Sequence, residues 1–197
     1  MRYEGVRFDP RSGRGHVESY FLKLNDPSAT RALWVKATIF ARPGEPDGAV
    51  AESWAIAFER GKPPLGHKLT VPFSRARFDA SSLDVELPSL ALRRERARGE
   101  IGDIAFDLAL ADPKPPMIHY PSPRMYEGPF PSSKFVSPMP NLVGRGEVRA
   151  GDRAWNVEGW RGLLGHNWGR GHAFAYAWGH CNVWDEPDVD LVFEGTS

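Results

Sequence analysis

The chain has 197 residues, of which 41% are hydrophobic, enough for one domain with a sizeable core. Its 25 Lys and Arg balance 25 Asp and Glu, which excludes a basic nucleic-acid footprint or a polybasic membrane surface and points to a neutral or small partner. One cysteine, Cys181, excludes an intramolecular disulfide, a zinc ribbon and a CxxC motif; with no apolar leader and no window long enough for an integral membrane segment, a cytoplasmic setting is expected.

Abundant proline, glycine and aromatic residues suit many short strands joined by punctuated turns. Residues 17–27 read as a strand ending at Asn25, Asp26 and Pro27, and residues 32–41, rich in β-branched and aromatic types, as its hairpin partner. Over 50–59 the large groups Trp54, Ile56 and Phe58 share one parity while Ser53, Ala55 and Ala57 share the other, which is strand periodicity. Residues 90–99 fit either a helical segment or an arginine-rich exposed strand; Gly99 and the neighbouring strands favour the strand. Residues 103–110 put Ile104, Phe106, Leu108 and Leu110 on one face, the core face.

Between residues 112 and 141 nine prolines interrupt a series of aromatics, predicting a long proline-rich loop without regular elements. Its Tyr120, Tyr126, Phe130 and Phe135 suit a lid or crossing segment over a cavity better than a solvated linker. Residues 144–149 and 154–162 flank a turn at Gly151 and Asp152 and predict another hairpin.

Five of the seven tryptophans and three of the six histidines lie between Trp155 and Trp184. Read as one strand, residues 171–184 place His172, Phe174, Tyr176, Trp178, His180, Asn182 and Trp184 on one face, with only Gly, Ala, Cys181 and Val183 on the other. Such a face suits the wall of an apolar ligand site, in which the polar tips of His172, Tyr176, His180 and Asn182 orient an oxygen or a water. The plainer alternative is a core strand whose histidines and Asn182 are bonded to neighbours. Upstream, glycines bracket His166, Asn167 and Trp168, predicting a tight bend at the head of this strand. His166, His172 and His180 lack a recognised ligand spacing and an interleaved carboxylate, so no metal is expected, and no motif implies a cofactor. Cys181 lies on the opposite face from His172 and His180, which disfavours a Cys/His nucleophilic pair.

The run from Gly165 through Arg170, continued from His172 to Asn182, resembles the AttH, carotenoid 1,2-hydratase and tocopherol cyclase group of two-domain lipocalin-like proteins, and the segments at 18–23, 32–38, 54–58 and 106–108 are similar to its N-terminal half. The resemblance implies an all-β fold, an antiparallel lipocalin-like barrel or curved β-sandwich over 1–197, with the motif and aromatic strand at 165–184 and a second related domain, or a partner half, missing from this chain. It also implies a hydrophobic, often isoprenoid, small molecule as ligand, with Asn167, Trp168, Tyr176, Trp178, His180 and Asn182 as candidate binding residues. In the hydratases an acid protonates an alkene, and an aspartate precedes the motif histidine; here that position is Gly165, so the candidate acids are His166 and His172, with Glu18 or Glu158 as substitutes. Three functions are therefore weighed: binding of an apolar molecule, isoprenoid hydration or cyclisation, and a structural half of a two-domain scaffold.

Overall fold

The computed structural model of the chain describes residues 3–171, 175–186 and 191–196. A first meander is formed by β1 (His16–Asn25), β2 (Arg31–Ala41), β3 (Val50–Glu59) and β4 (Leu65–Pro72). A second contains β5 (Arg77–Phe78), β6 (Asp84–Leu87), β7 (Leu90–Arg93), β8 (Arg96–Ile101) and β9 (Ile104–Ala111). There follow β10 (Met117–Ile118), a short helix α1 (Pro123–Glu127), the long pair β11 (Ser133–Ala150) and β12 (Arg153–Gly169), and a hairpin of β13 (Trp178–Cys181) and β14 (Phe193–Thr196). Strands β4, β3, β2, β1, β12, β11, β9, β8, β7, β6 and β5 lie side by side in that order, with β10 alongside β11, in one antiparallel sheet that curls into a half-barrel.

Local chemistry sets these elements. The β1–β2 turn is tied by Asp26, whose carboxylate accepts from the Ser28 amide, the Thr30 hydroxyl and Arg31 Nε. Gly151 supplies the positive φ (63°) that the turn between β11 and β12 requires. In β3 the small side chains Ala51, Ser53, Ala55 and Ala57 face inward and are fully buried, leaving Trp54, Ile56 and Phe58 on the outer face. In β9 the inward set is Ile104, Phe106, Leu108 and Leu110, as its alternation predicts. Small residues on one wall and large ones on the facing wall let the two sides of the curled sheet pack against each other. Ser53 and Ser89 share a hydrogen bond of 2.6 Å across the fold, and Arg153 Nη1 reaches Glu59 Oε2 at 3.1 Å.

Three expectations are corrected here. Residues 112–141 are not irregular throughout: β10 and α1 interrupt the segment, and β11 already begins at Ser133. Pro138 and Pro140 fit inside β11 because its pairing with β12 runs Val136 to His166, Met139 to Leu164 and Leu142 to Gly162, so both prolines fall where the ladder skips a residue and no amide donor is needed. The bend expected at His166–Trp168 is absent, since these residues continue β12, paired on both sides by Tyr20–Glu18 and Val136–Lys134. The strand expected over 171–184 is formed only at Trp178–Cys181; His172 and Phe174 lie outside the described residues. No helix among the described residues is long and apolar enough to cross a membrane.

Candidate functional site

Strand alternation gives β1 and β12 two differently used faces. Inside the curl, Glu18, Tyr20 and His166 come together with no exposed surface on Glu18 or His166. Glu18 Oε1 accepts from His166 Nε2 at 2.9 Å, Oε2 accepts from His16 Nε2 at 2.8 Å, and the Arg7 amide donates to the same carboxylate at 2.9 Å. His166 Nδ1 faces the Tyr3 carbonyl at 2.8 Å, and the ring stacks on Tyr20 with centroids 4.1 Å apart. A carbonyl and an ionised carboxylate can only accept, so both nitrogens of His166 act as donors and the pair is an imidazolium against a carboxylate. Burial pushes Glu18 up, but the hydrogen bonds and charges of His16 and His166 outweigh it and hold the carboxyl down at about 2. Burial and the neighbouring Glu18 charge push the Tyr20 phenol upward.

The Tyr20 hydroxyl donates to the Glu4 carbonyl at 3.0 Å, and Arg94 pairs with the Glu4 carboxylate. Residues 3–7 are thereby fastened across one end of the curl. This cluster ties the chain before β1 to β1 and β12.

On the outer face, Ser19, Phe21 and Lys23 of β1 project beside Trp34 and Lys36 of β2 and Asn167 of β12, following the pairs Phe21 with Lys36, Lys23 with Trp34 and Ser19 with Asn167. The hairpin β13–β14 covers part of this face. Trp178 meets the edge of Phe21 at 5.9 Å and lies 6.3 Å from Trp34, while its Nε1 donates to the buried Glu194 at 3.1 Å. Glu194 also accepts from the Ser137 hydroxyl and has His119 Nε2 at 3.5 Å. Burial raises Glu194, and its polar neighbours, His119 foremost, more than offset this so that it ionises below its ordinary value.

Between the sheet, the proline-rich crossing and the hairpin there remains a cavity of about 420 Å³. Its aromatic wall is made by Phe21, Trp34, Tyr120, Phe135, Tyr176 and Trp178, with Trp168 bordering it from the His166 face of β12, and its polar wall by Ser19, Lys36, Lys134 and Asn167. The size and the apolar lining with a few polar groups suit a small-molecule site.

Of the residues singled out in the sequence, Asn167, Trp168, Tyr176 and Trp178 line this cavity. His180 and Asn182 do not; they dock the hairpin. His180 stacks on Trp178, its Nε2 donates to the Pro140 carbonyl at 2.8 Å, and its Nδ1 accepts from Lys23 Nζ at 3.1 Å. Asn182 Nδ2 donates to Asn141 Oδ1 and the Gly162 carbonyl, both at 3.0 Å. Trp184 turns aside to the Leu191 carbonyl, and over Trp178–Cys181 it is the large side chains, not the small ones, that rest on the neighbouring layer.

Glu158 lies on the exposed outer surface with Arg145, away from this cavity. Sequence reasoning missed Phe21, Trp34 and Lys36 as cavity residues. Their strands were legible but not which face a hairpin 150 residues later would cover, and no local signal marks them.

Gly165 pairs directly with Phe21 and faces the same side. A Cβ there would lie 2.4 Å from Phe21 Cζ. Position 165 is thus turned toward the cavity face, and the Phe21 ring occupies the space a larger side chain would need there. Among the described residues no group of three His, Cys, Asp or Glu is placed to hold a metal.

No protein-family model matches the chain. It is 25% identical over 183 residues, 92% of its own length, to two uncharacterized proteins from two strains of Mycobacterium tuberculosis, and it spans about half (54%) of the length of these relatives. It is similar to the crystal structure of a Nitrosomonas europaea protein provisionally assigned as an AttH, with a TM-score of 0.60 and 16% identity, over 92% of this chain and 62% of that one. The chain has an AttH-like fold.

Proposed function

We propose that the protein binds an apolar, lipid-like or isoprenoid small molecule in the cavity between the outer face of β1, β2 and β12 and the β13–β14 hairpin. The observation that carries this reading is the lining: six aromatic side chains around about 420 Å³, with Trp178 held at a fixed angle by Glu194 and His180. Rigid rings supply contact area at little cost in side-chain entropy, and their positions are set before any ligand arrives.

Protonation of an alkene is less well supported. His166 carries a proton, but its ring is fully buried, both nitrogens are engaged, and it faces the side of β12 opposite the cavity. A second related β domain, on this or a partner chain, belongs to the same proposal: Tyr176, Leu191 and Phe193 are exposed on the hairpin beside the cavity and would be sheltered by it.

Titration with the neutral dye N-phenylnaphthylamine tests the binding reading. Saturable quenching of tryptophan emission is expected, and it should weaken at least tenfold in Trp178→Ala. An absence of saturable quenching, or equal affinity in the Trp178→Ala protein, would overturn it. Mass spectrometry of organic extracts from freshly purified protein identifies the class of any retained molecule.

A further inference from the structure

The polar part of the cavity is one-sided in its chemistry. Among the described residues no Asp or Glu lines it, while Lys36 does. Lys36 is half-buried, and its nearest acidic neighbour, Glu52, is already engaged by Lys68 Nζ at 3.1 Å, Trp54 Nε1 at 3.2 Å and the Thr70 hydroxyl. Among the described residues Lys36 has no hydrogen-bonded carboxylate; its Nζ lies over the Trp54 ring, 6.0 Å from the centroid.

Two further donors belong to residues of the same lining. Trp34 Nε1 is buried without an acceptor, and the Asn167 amide lines the same cavity. The second lysine in the lining, Lys134, is spent on the carbonyls of Gly128 and Pro131. A wall of donors holding a cation whose acidic neighbour is shared with three other groups calls for one anionic acceptor.

We infer that the ligand is an apolar chain ending in a single carboxylate, held at its head by the Lys36 ammonium and the Asn167 amide, with its chain along Phe21, Phe135 and Trp178. Burial lowers Lys36 below its ordinary value, and the charge of Glu52 only partly offsets this. The inference rests on the binding reading above and narrows its ligand class from apolar molecules in general to amphipathic monoanions.

Displacement of N-phenylnaphthylamine by hexadecanoate and by its methyl ester tests it, because the two share a chain and differ in head-group charge. Hexadecanoate is expected to displace the dye at a concentration about tenfold lower than the ester, the ratio a partly desolvated ion pair gives. In Lys36→Met the ratio should fall to about one, and in Lys36→Arg it should persist; Lys36→Gln serves in place of Lys36→Met if that variant does not fold. Equal displacement by acid and ester in the unmodified protein, or a preference that survives loss of the ammonium, would overturn the carboxylate assignment while leaving the cavity reading intact. A dye that does not bind at all would remove both.

Discussion

Glu18 has exchanged water for two imidazoles and a backbone amide, and the exchange sets how the protein responds to acid. Its carboxyl is held at about 2 against an ordinary 4.5, so the folded state binds the proton less readily than the unfolded chain. The stability this confers is complete above about pH 4.5 and is lost as pH falls toward 2, a total of about 3 kcal/mol. Urea midpoints measured across that range should fall with acid in the unmodified protein. In Glu18→Gln they should start lower, by about 3–5 kcal/mol because His166 is left charged and unpaired, and the acid limb attributable to this group should vanish. An unchanged acid limb would show that Glu18 is not the group that titrates. The motif around His166 was visible in the sequence, but its division was not: alternation in a strand sends Asn167 to the cavity and His166 to the interior, whereas a bend would have presented both together. The partnership of His166 with Glu18 depends on strands 148 residues apart, which no local pattern encodes.

At the level of elements, the β13–β14 hairpin is the mobile candidate, because it is short and is fastened by side chains rather than by main-chain pairing to the large sheet. His180 is central to that fastening. Its geometry requires the neutral ring, a donor toward Pro140 and an acceptor toward Lys23, and burial accordingly lowers it below the ordinary 6.5. The unfolded or undocked imidazole takes up a proton near 6.5 while the docked one resists, so docking weakens as pH falls below about 6.5; Glu194 opposes this trend and Lys23 reinforces it. Hydrogen-exchange protection of the amides in β13 and β14 should therefore drop between neutral and mildly acidic pH, with β1 and β12 unaffected. In His180→Leu the protection should be low throughout and no longer follow pH in this range. The alternation from Tyr176 to Asn182 gave the aromatic face away in the sequence. What was not legible was that only four residues would pair as strand, since the partner, Phe193–Thr196, is a short segment with no strong periodicity. The prolines of β11 misled for a comparable reason: proline forbids an amide bond at its own position, but a bulge in that same strand removes the demand for one.

For the molecule as a whole, the core and the cavity lie on opposite faces of the same strands, so stability and binding are carried by different sets of contacts. The strands at 32–41, 50–59 and 103–110 followed from alternation, composition and turn residues, because each buries mainly one face, whereas those at 65–72 and 84–87 were not read. β1 resists such reading since both its faces are covered, one by the core and one by the hairpin. This division predicts separable defects. Leu108 is fully buried in β9, remote from the cavity lining, and Leu108→Ala should cost about 2–5 kcal/mol of global stability, shifting the urea midpoint equally by tryptophan fluorescence and far-ultraviolet circular dichroism. Under conditions where the variant remains folded, its affinity for N-phenylnaphthylamine should match that of the unmodified protein. Asn182→Ala should do the reverse: loss of its bonds to Asn141 and Gly162 loosens the hairpin that carries Trp178, lowering dye affinity while moving the global midpoint by no more than about 1 kcal/mol. If Leu108→Ala weakened the folded protein's dye binding as much as Asn182→Ala, the two faces would be one cooperative unit, and the rigid sheet could not be regarded as a fixed wall against which the hairpin closes.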